Sequence, residues 1–199
     1  MSISLEKGHK VNLSKEVEGL SSITLGLGWD VAKSPKKGLF GFTLSTPSID
    51  CDASAFMLNS NGKLADKQSI IYFGNLKSKC NSVVHTGDNL TGDGDGDDEQ
   101  LLVDLNKVPS NINEILFTVN IYNAKSKGQD FGMIENAFIR IVDNKTKKQL
   151  AHLNLTENYS KKTAMIFGSL KRVGGQWEFN AIGEGTTDGS ISELARRYQ

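Results

Sequence analysis

The sequence predicts an all-β protein, a β-sandwich with a short helix near its C-terminal end. Apolar and polar residues alternate along most of the chain, a pattern typical of strands that bury one face. Clusters of Gly, Asn, Asp and Ser separate about ten such segments, and these residues favour turns. Apolar residues at helical spacing are scarce, so little helix is expected.

Composition narrows the class of protein. The chain has 199 residues, 38% apolar and 23% charged, as expected for one globular domain over residues 1–199. Basic and acidic residues balance at 23 each, so charge gives no argument for binding nucleic acid or an anionic membrane. No apolar run has the length of a signal-peptide core or a membrane span, so we expect a cytoplasmic protein without direct membrane insertion. Cys51 and Cys80 are then expected to be free thiols.

The elements follow one another as short strands. In chain order, the predicted strands centre on Ile3 and Leu5, Val11 and Leu13, and residues 23–29, 49–55, 70–73, 115–121, 138–142, 150–153, 164–167 and 177–181. Residues 33–48 separate two of them and carry three lysines and two prolines, which predicts a long exposed loop. This loop either flanks the acidic residues described below or simply solubilises the surface.

The predicted helix lies at residues 190–198. Ser190 and Glu193 have the spacing of a capping box, and apolar residues from Ile191 to Tyr198 recur at helical intervals. We expect this helix to pack on the sandwich.

The two halves of the chain resemble each other, over residues 20–100 and 112–185, as in a degenerate duplication. Trp29 and Asp30 correspond to Tyr122 and Asn123. Because the second half has lost most acidic positions, the repeat assigns any cation chemistry to the first half.

Residues 87–99 hold six carboxylates and neither Lys nor Arg. Alternating Gly and Asp disfavour both helix and packed strand. A flexible backbone rich in oxygen ligands suits Ca²⁺, and the alternative is a solvated acidic turn. The segment is not an EF-hand, because a frame starting at Asp88 places Leu90 third and Asp93 sixth, where Gly is needed.

Strand carboxylates extend this acidic set. Asp50 and Asp52 are two apart, so both project from one face of a strand while Ile49 and Cys51 line the other. Asp30 comes directly after Trp29, at the end of a predicted strand. Together with the acidic segment they predict a cage with more carboxylates than one Ca²⁺ needs, hence two neighbouring ions.

Eight segments carry a specific family resemblance over nearly the whole chain. They are SLEKG at 4–8, GLGWD at 26–30, DCDASA at 50–55, HTGDNLTG at 85–92, GDDE at 96–99, IYNA at 121–124, GQDFG at 128–132 and NAFIR at 136–140. These segments closely resemble the TerD family of tellurite-resistance and chemical-stress proteins. Two departures are the long loop at 33–48 and Asn123, where many members have Asp.

The resemblance implies a cytoplasmic, calcium-binding β-sandwich, bacterial in most members, that acts in stress resistance. It also implies a role alongside other stress-resistance proteins in a membrane-associated complex. The calcium ligands that it implies are Asp30, Asp50, Asp52, Asp88, Asn89, Asp97, Asp98 and Glu99, with Asp93 and Asp95 as further acidic positions.

Two other functions remain open at this stage. A metal-dependent hydrolase would use His85, beside the acidic segment, as a base, whereas a strand-end histidine would be structural. The chain lacks a nucleophile elbow and a phosphate-binding Gly-Lys-Ser loop, so we expect no enzyme. A small-ligand module of the cyclic-nucleotide type would need a basic phosphate pocket, and no segment supplies one.

Overall fold

The computed structural model describes residues 2–31, 48–87, 96–155 and 157–199. Within these residues twelve strands form two six-stranded sheets, which confirms the predicted all-β sandwich. The strands are β1 Ile3–Leu5, β2 Lys10–Asn12, β3 Ser22–Val31, β4 Cys51–Leu58, β5 Ile70–Ile71, β6 Val83–His85, β7 Glu99–Asp104, β8 Glu114–Ile121, β9 Ile134–Asp143, β10 Gln149–Asn154, β11 Ala164–Val173 and β12 Gln176–Thr186. The helices are α1 Leu13–Glu16, α2 Ala124–Lys127 and α3 Ile191–Ala195, with 3-10 turns at Lys67–Ser69, Leu105–Lys107, Phe131–Met133 and Arg196–Tyr198.

Each of the two sheets combines strands from both halves of the chain. Sheet A has the order β1-β10-β9-β3-β7-β6, and sheet B has the order β2-β12-β11-β8-β4-β5. Strand β9 of the second half thus lies beside β3, and β4 of the first half lies beside β8. Strands β3 and β8 therefore hold equivalent places, each between a strand of its own half and one of the other. The duplication itself stays a prediction.

The main core lies between the sheets and is formed by the alternate apolar residues of their strands. Ile49, Cys51 and Ala53 belong to it, while Asp52 lies on the opposite face of β4, as the alternation predicts. Asp52 is nevertheless buried, at 2% exposure.

A second apolar cluster covers the outer face of sheet B. Leu194 and Ala195 of α3 pack there against Phe56, Leu58 and their neighbours, so the predicted packing of the C-terminal helix is confirmed. The Ser190 side chain accepts a hydrogen bond from the backbone N–H of Glu193 at 3.1 Å, as a helix cap.

Three details differ from the predicted elements. Leu13 begins helix α1 instead of extending a strand, because the Asn12 side chain accepts from the N–H of Lys15 and caps the helix. Strands β6 and β7 were not predicted, since β6 is three residues long and β7 begins with a charged residue. Glu99 therefore belongs to a strand and not to a loop.

Most of the predicted loop at 33–48 lies outside the described residues, with only Ser48 inside them. In the parts of the chain that are described, no helix combines the length and the apolar character needed to cross a membrane.

Candidate metal site

Two adjacent carboxylates connect the sheets at one end of the sandwich. Asp98 Oδ2 accepts the backbone N–H of Trp29 in β3 at 2.9 Å, and the Asp98 N–H donates to Leu27 O at 2.8 Å. Glu99 accepts the backbone N–H of Ala53 in β4, in a buried contact. The Asp98–Glu99 pair thus accepts a backbone hydrogen bond from one strand of each sheet, β3 and β4. Because backbone N–H groups carry no net charge, these bonds fix the two carboxylates without cancelling their charge.

Glu99 lies beside His85 in the interior. The Glu99 Oε2 and His85 Nε2 atoms are 3.5 Å apart, and both side chains have 0% exposure. His85 Nε2 lies 3.2 Å from the carbonyl oxygen of Ala53, and His85 Nδ1 accepts the N–H of Gly87 at 3.1 Å. His85 is thus a buried strand-end residue with both ring nitrogens engaged, which argues against a role as a catalytic base.

Asp50 and Asp52 flank Cys51 at the start of β4. Burial raises the pKa of the Cys51 thiol well above its usual value, and the negative charges of Asp52, Glu99, Asp50 and Asp98 raise it further. The Asp52 carboxylate accepts a hydrogen bond from Asn120 Nδ2 of β8 at 3.3 Å. Four of the predicted ligands therefore impose a negative potential on one buried atom.

Asp97 points elsewhere. Its carboxylate lies over Gly26 on the outer face of sheet A. Arg140 Nε donates to Asp97 Oδ1 at 2.6 Å, and Gln100 Nε2 donates to Asp97 Oδ2 at 3.0 Å. The Asp97 side chain is only 2% exposed, whereas that of Arg140 is 35% exposed, so only the carboxylate end of this ion pair is shielded from water. Asp97 thus has a cationic partner, Arg140.

Asp30 lines a cleft of about 800 Å³ that Trp29 and Asp98 also line. Its Oδ2 accepts from Asn136 Nδ2 at 2.8 Å. Asn136 sits in a β-bulge, where two residues of β9 face one residue of β3, and its φ of 52° is left-handed, a conformation that Asn tolerates. Asp98 thus lines this cleft and is also one of the carboxylates that raise the pKa of Cys51.

Four predicted ligands, Asp88, Asn89, Asp93 and Asp95, lie outside the described residues. Among residues 2–31, 48–87, 96–155 and 157–199, no three His, Cys, Asp or Glu side chains come together closely enough to hold a metal ion. The oxygen donors that are present have the hard character that Ca²⁺ prefers.

Sequence reasoning missed the residues that hold the carboxylates. Asn136, Arg140 and Asn120 are distant in sequence from the acids they contact. Asn136 and Arg140 lie within one of the family-like segments, the only signal that pointed to them.

This geometry defines a β-sandwich protein with a carboxylate-rich end where its two sheets meet. Residues 1–198 match the TerD domain family, and the chain belongs to this family. It is 52% identical to stress response protein SCP2 of Bacillus subtilis (strain 168), covering 100% of both chains. It is 43% identical to tellurium resistance protein TerD of Serratia marcescens, over 98% of this chain and 97% of that one.

Solved structures agree on the fold. The crystal structure of SAV2460, described as a protein of unknown function, has a TM-score of 0.70 and 21% identity, covering 89% of this chain and 96% of that one. A homologue of the telluride resistance protein TerD from Streptomyces coelicolor A3(2) has a TM-score of 0.68 and 16% identity, covering 91% and 99%.

Proposed function

We propose that this protein is a non-enzymatic calcium-binding protein of the stress response, of the tellurium-resistance type, working in the cytoplasm. The observation that carries the proposal is the Asp98–Glu99 pair, which is held by uncharged N–H groups from both sheets, next to Asp50 and Asp52. The negative charges of Asp50, Asp52, Asp98 and Glu99 all raise the pKa of the Cys51 thiol, and a divalent cation would be favoured in such a negative potential.

The proposed ligands are those that the sequence predicts, with one exception. Oxygens at or next to the starts of β4 and β7 would come from Asp50, Asp52, Asp98 and Glu99. Asp30 would contribute from the cleft, and Asp88, Asn89, Asp93 and Asp95 would complete two ion sites. We leave Asp97 out, because Arg140 already neutralises its charge.

Bound calcium would stabilise the junction of the two sheets. A ligand that binds the native state alone adds about 3 kcal/mol when its concentration is about a hundredfold above Kd. Relatives are named as stress-response and tellurium-resistance proteins, which supports a role in resistance. We further propose that the calcium-ordered surface recruits other stress-resistance proteins of a membrane-associated complex.

Calorimetric titration of chelator-stripped protein with Ca²⁺ tests the proposal, with Mg²⁺ as the control ion. We expect selective binding of about two ions and a rise in Tm, since Mg²⁺ demands a tighter octahedron and gives up water reluctantly. Absence of both heat and a Tm shift would overturn the proposal.

Two matched variants locate the site. Asp98→Asn should weaken calcium binding by about tenfold or more, because it removes a ligand charge. Asp97→Asn, one residue away, should change Kd by less than about threefold, because the Asp97 charge already belongs to Arg140. Equal losses in the two variants would contradict the assignment of Asp98.

A further inference from the structure

We propose that His85 is a positioning residue for the cation site, holding the ends of the acidic segment against strand β4 before any ion arrives. This inference rests on the proposed calcium function. His85 would not touch the ion. It would act through Ala53, Gly87 and Glu99, whose positions its imidazole fixes.

The hydrogen bonds assign the tautomer of His85. The N–H of Gly87 points at Nδ1, so Nδ1 must offer its lone pair and carry no proton. The ring proton of the neutral imidazole is then on Nε2, where it is donated to the Ala53 carbonyl oxygen. A ring protonated at Nδ1 would lose the bond from Gly87.

Glu99 and His85 together replace a missing strand partner at Ala53. On one side β4 pairs with β8, where Ala53 faces Val119. On the other side β5 is only two residues long and pairs with Ala55 and Phe56. The Ala53 N–H is satisfied instead by Glu99, and its carbonyl by His85. Without these side chains a buried backbone edge would lose both hydrogen bonds.

The same imidazole connects both ends of the acidic segment. Gly87 begins that segment and Glu99 ends it, and each contacts His85. Ala53 follows Asp52 directly, so fixing the backbone of Ala53 also restrains the backbone from which the Asp52 side chain projects. Ligands held in place in advance bind an ion with a smaller loss of conformational entropy, and residues behind metal ligands commonly change affinity by about 10–100-fold.

Two variants separate positioning from simple packing. His85→Gln keeps a donor and an acceptor at a spacing close to that of the ring nitrogens, whereas His85→Phe fills the space and keeps neither. We expect His85→Phe to weaken calcium binding by about tenfold or more and His85→Gln by less than about threefold. His9→Phe is the control, because His9 is exposed and lies outside this network. A purely structural role would lower the Tm of the metal-free protein while leaving Kd unchanged.

A measurement on the wild-type protein covers the case in which His85→Phe does not fold. Long-range proton–nitrogen NMR correlations report which ring nitrogen carries the proton, and we expect the proton on Nε2 and a bare Nδ1 in the metal-free protein. A proton on Nδ1 would overturn the inference, because Nδ1 could then not accept from Gly87. Calcium binding by folded His85→Phe at the wild-type Kd would also overturn it. If the wild type binds no calcium, the proposed function fails and this inference with it. If only the variant comparison or the tautomer disagrees, this inference fails alone.

Discussion

The carboxyl group of Asp97 occupies the space that a β-carbon on Gly26 would need. A β-carbon built at Gly26 would lie 2.1 Å from Asp97 Cγ and 2.1 Å from its Oδ2. Gly26 pairs with Arg140 in the neighbouring strand, and Arg140 holds Asp97. The glycine thus provides the recess in which the Asp97–Arg140 ion pair sits on the outer face of sheet A.

Gly26→Ala should therefore displace Asp97 and lower the free energy of unfolding by about 1–3 kcal/mol, the usual cost of overpacking. Urea denaturation measures the change. The control is the double variant Gly26→Ala with Asp97→Ala, in which the added methyl group has room. The two effects should be coupled, and additivity within about 0.5 kcal/mol would contradict the steric account.

The C-terminal helix should contribute to stability as part of the core. Leu194 is 0% exposed and packs on the outer face of sheet B. Leu194→Ala should destabilise the protein by about 2–5 kcal/mol, because it leaves a cavity against Phe56 and its neighbours. Arg196→Ala, an exposed change in the next turn, is the matched control. Equal midpoints for the two variants in urea would show that the helix is not packed as described.

The two cysteines should differ in reactivity. Burial acts to raise the pKa of the Cys80 thiol, but hydrogen bonds with Ser82 and Ser78 outweigh it and lower that pKa. Cys51 is buried and its pKa is raised, foremost by that burial. A disulfide reagent should thus modify one thiol in the native protein and both in denaturant. Cys80→Ser should abolish the native-state reaction, and persistence of that reaction would place Cys51 within reach of solvent.

Asp143 should make part of the stability acid-sensitive. Burial acts to raise its pKa, but hydrogen bonds from the Thr146 hydroxyl and from the N–H groups of Lys145 and Thr146 outweigh it and lower that pKa. A lowered folded-state pKa means stability that is present above the unfolded value of about 3.9 and is lost as pH falls through the folded value.

Asp143→Asn should accordingly cost about 1–3 kcal/mol near pH 7, where the charged acceptor is lost, and less in acid. Urea melts of both proteins at neutral pH and below pH 4 measure the difference. A difference that is independent of pH would show that the carboxylate charge does not matter in this turn.

The existence of most strands, and the faces of their residues, were predictable from local alternation in the sequence. The alternation placed Cys51 and Asp52 on opposite faces of β4, and the Ser190–Glu193 spacing located the last helix. Glu99 shows where this reasoning fails. Glu99 alternates with Leu101 and Val103 on the inward face of β7. From the sequence alone, a charged residue at that position is expected to face solvent, because its buried partners are not yet known.

For the candidate site, only the acidic residues could be predicted from the sequence. The partners that orient those acids come from the second half of the chain or from the backbone of the opposite sheet, as with Asn136 for Asp30 and the Ala53 N–H for Glu99. Such contacts depend on which strands become neighbours. Local propensity carries no information on that choice, because many pairings bury the same apolar faces.

The pairing of strands from different halves of the chain within one sheet has a consequence for synthesis on the ribosome. Strand β3 gains its β9 partner only after residue 143 has emerged, although β3 itself is complete at Val31. Until then one edge of β3 has no neighbouring strand, and sheet A stays incomplete. The acidic end of the sandwich therefore forms late, when most of the chain has already left the exit tunnel.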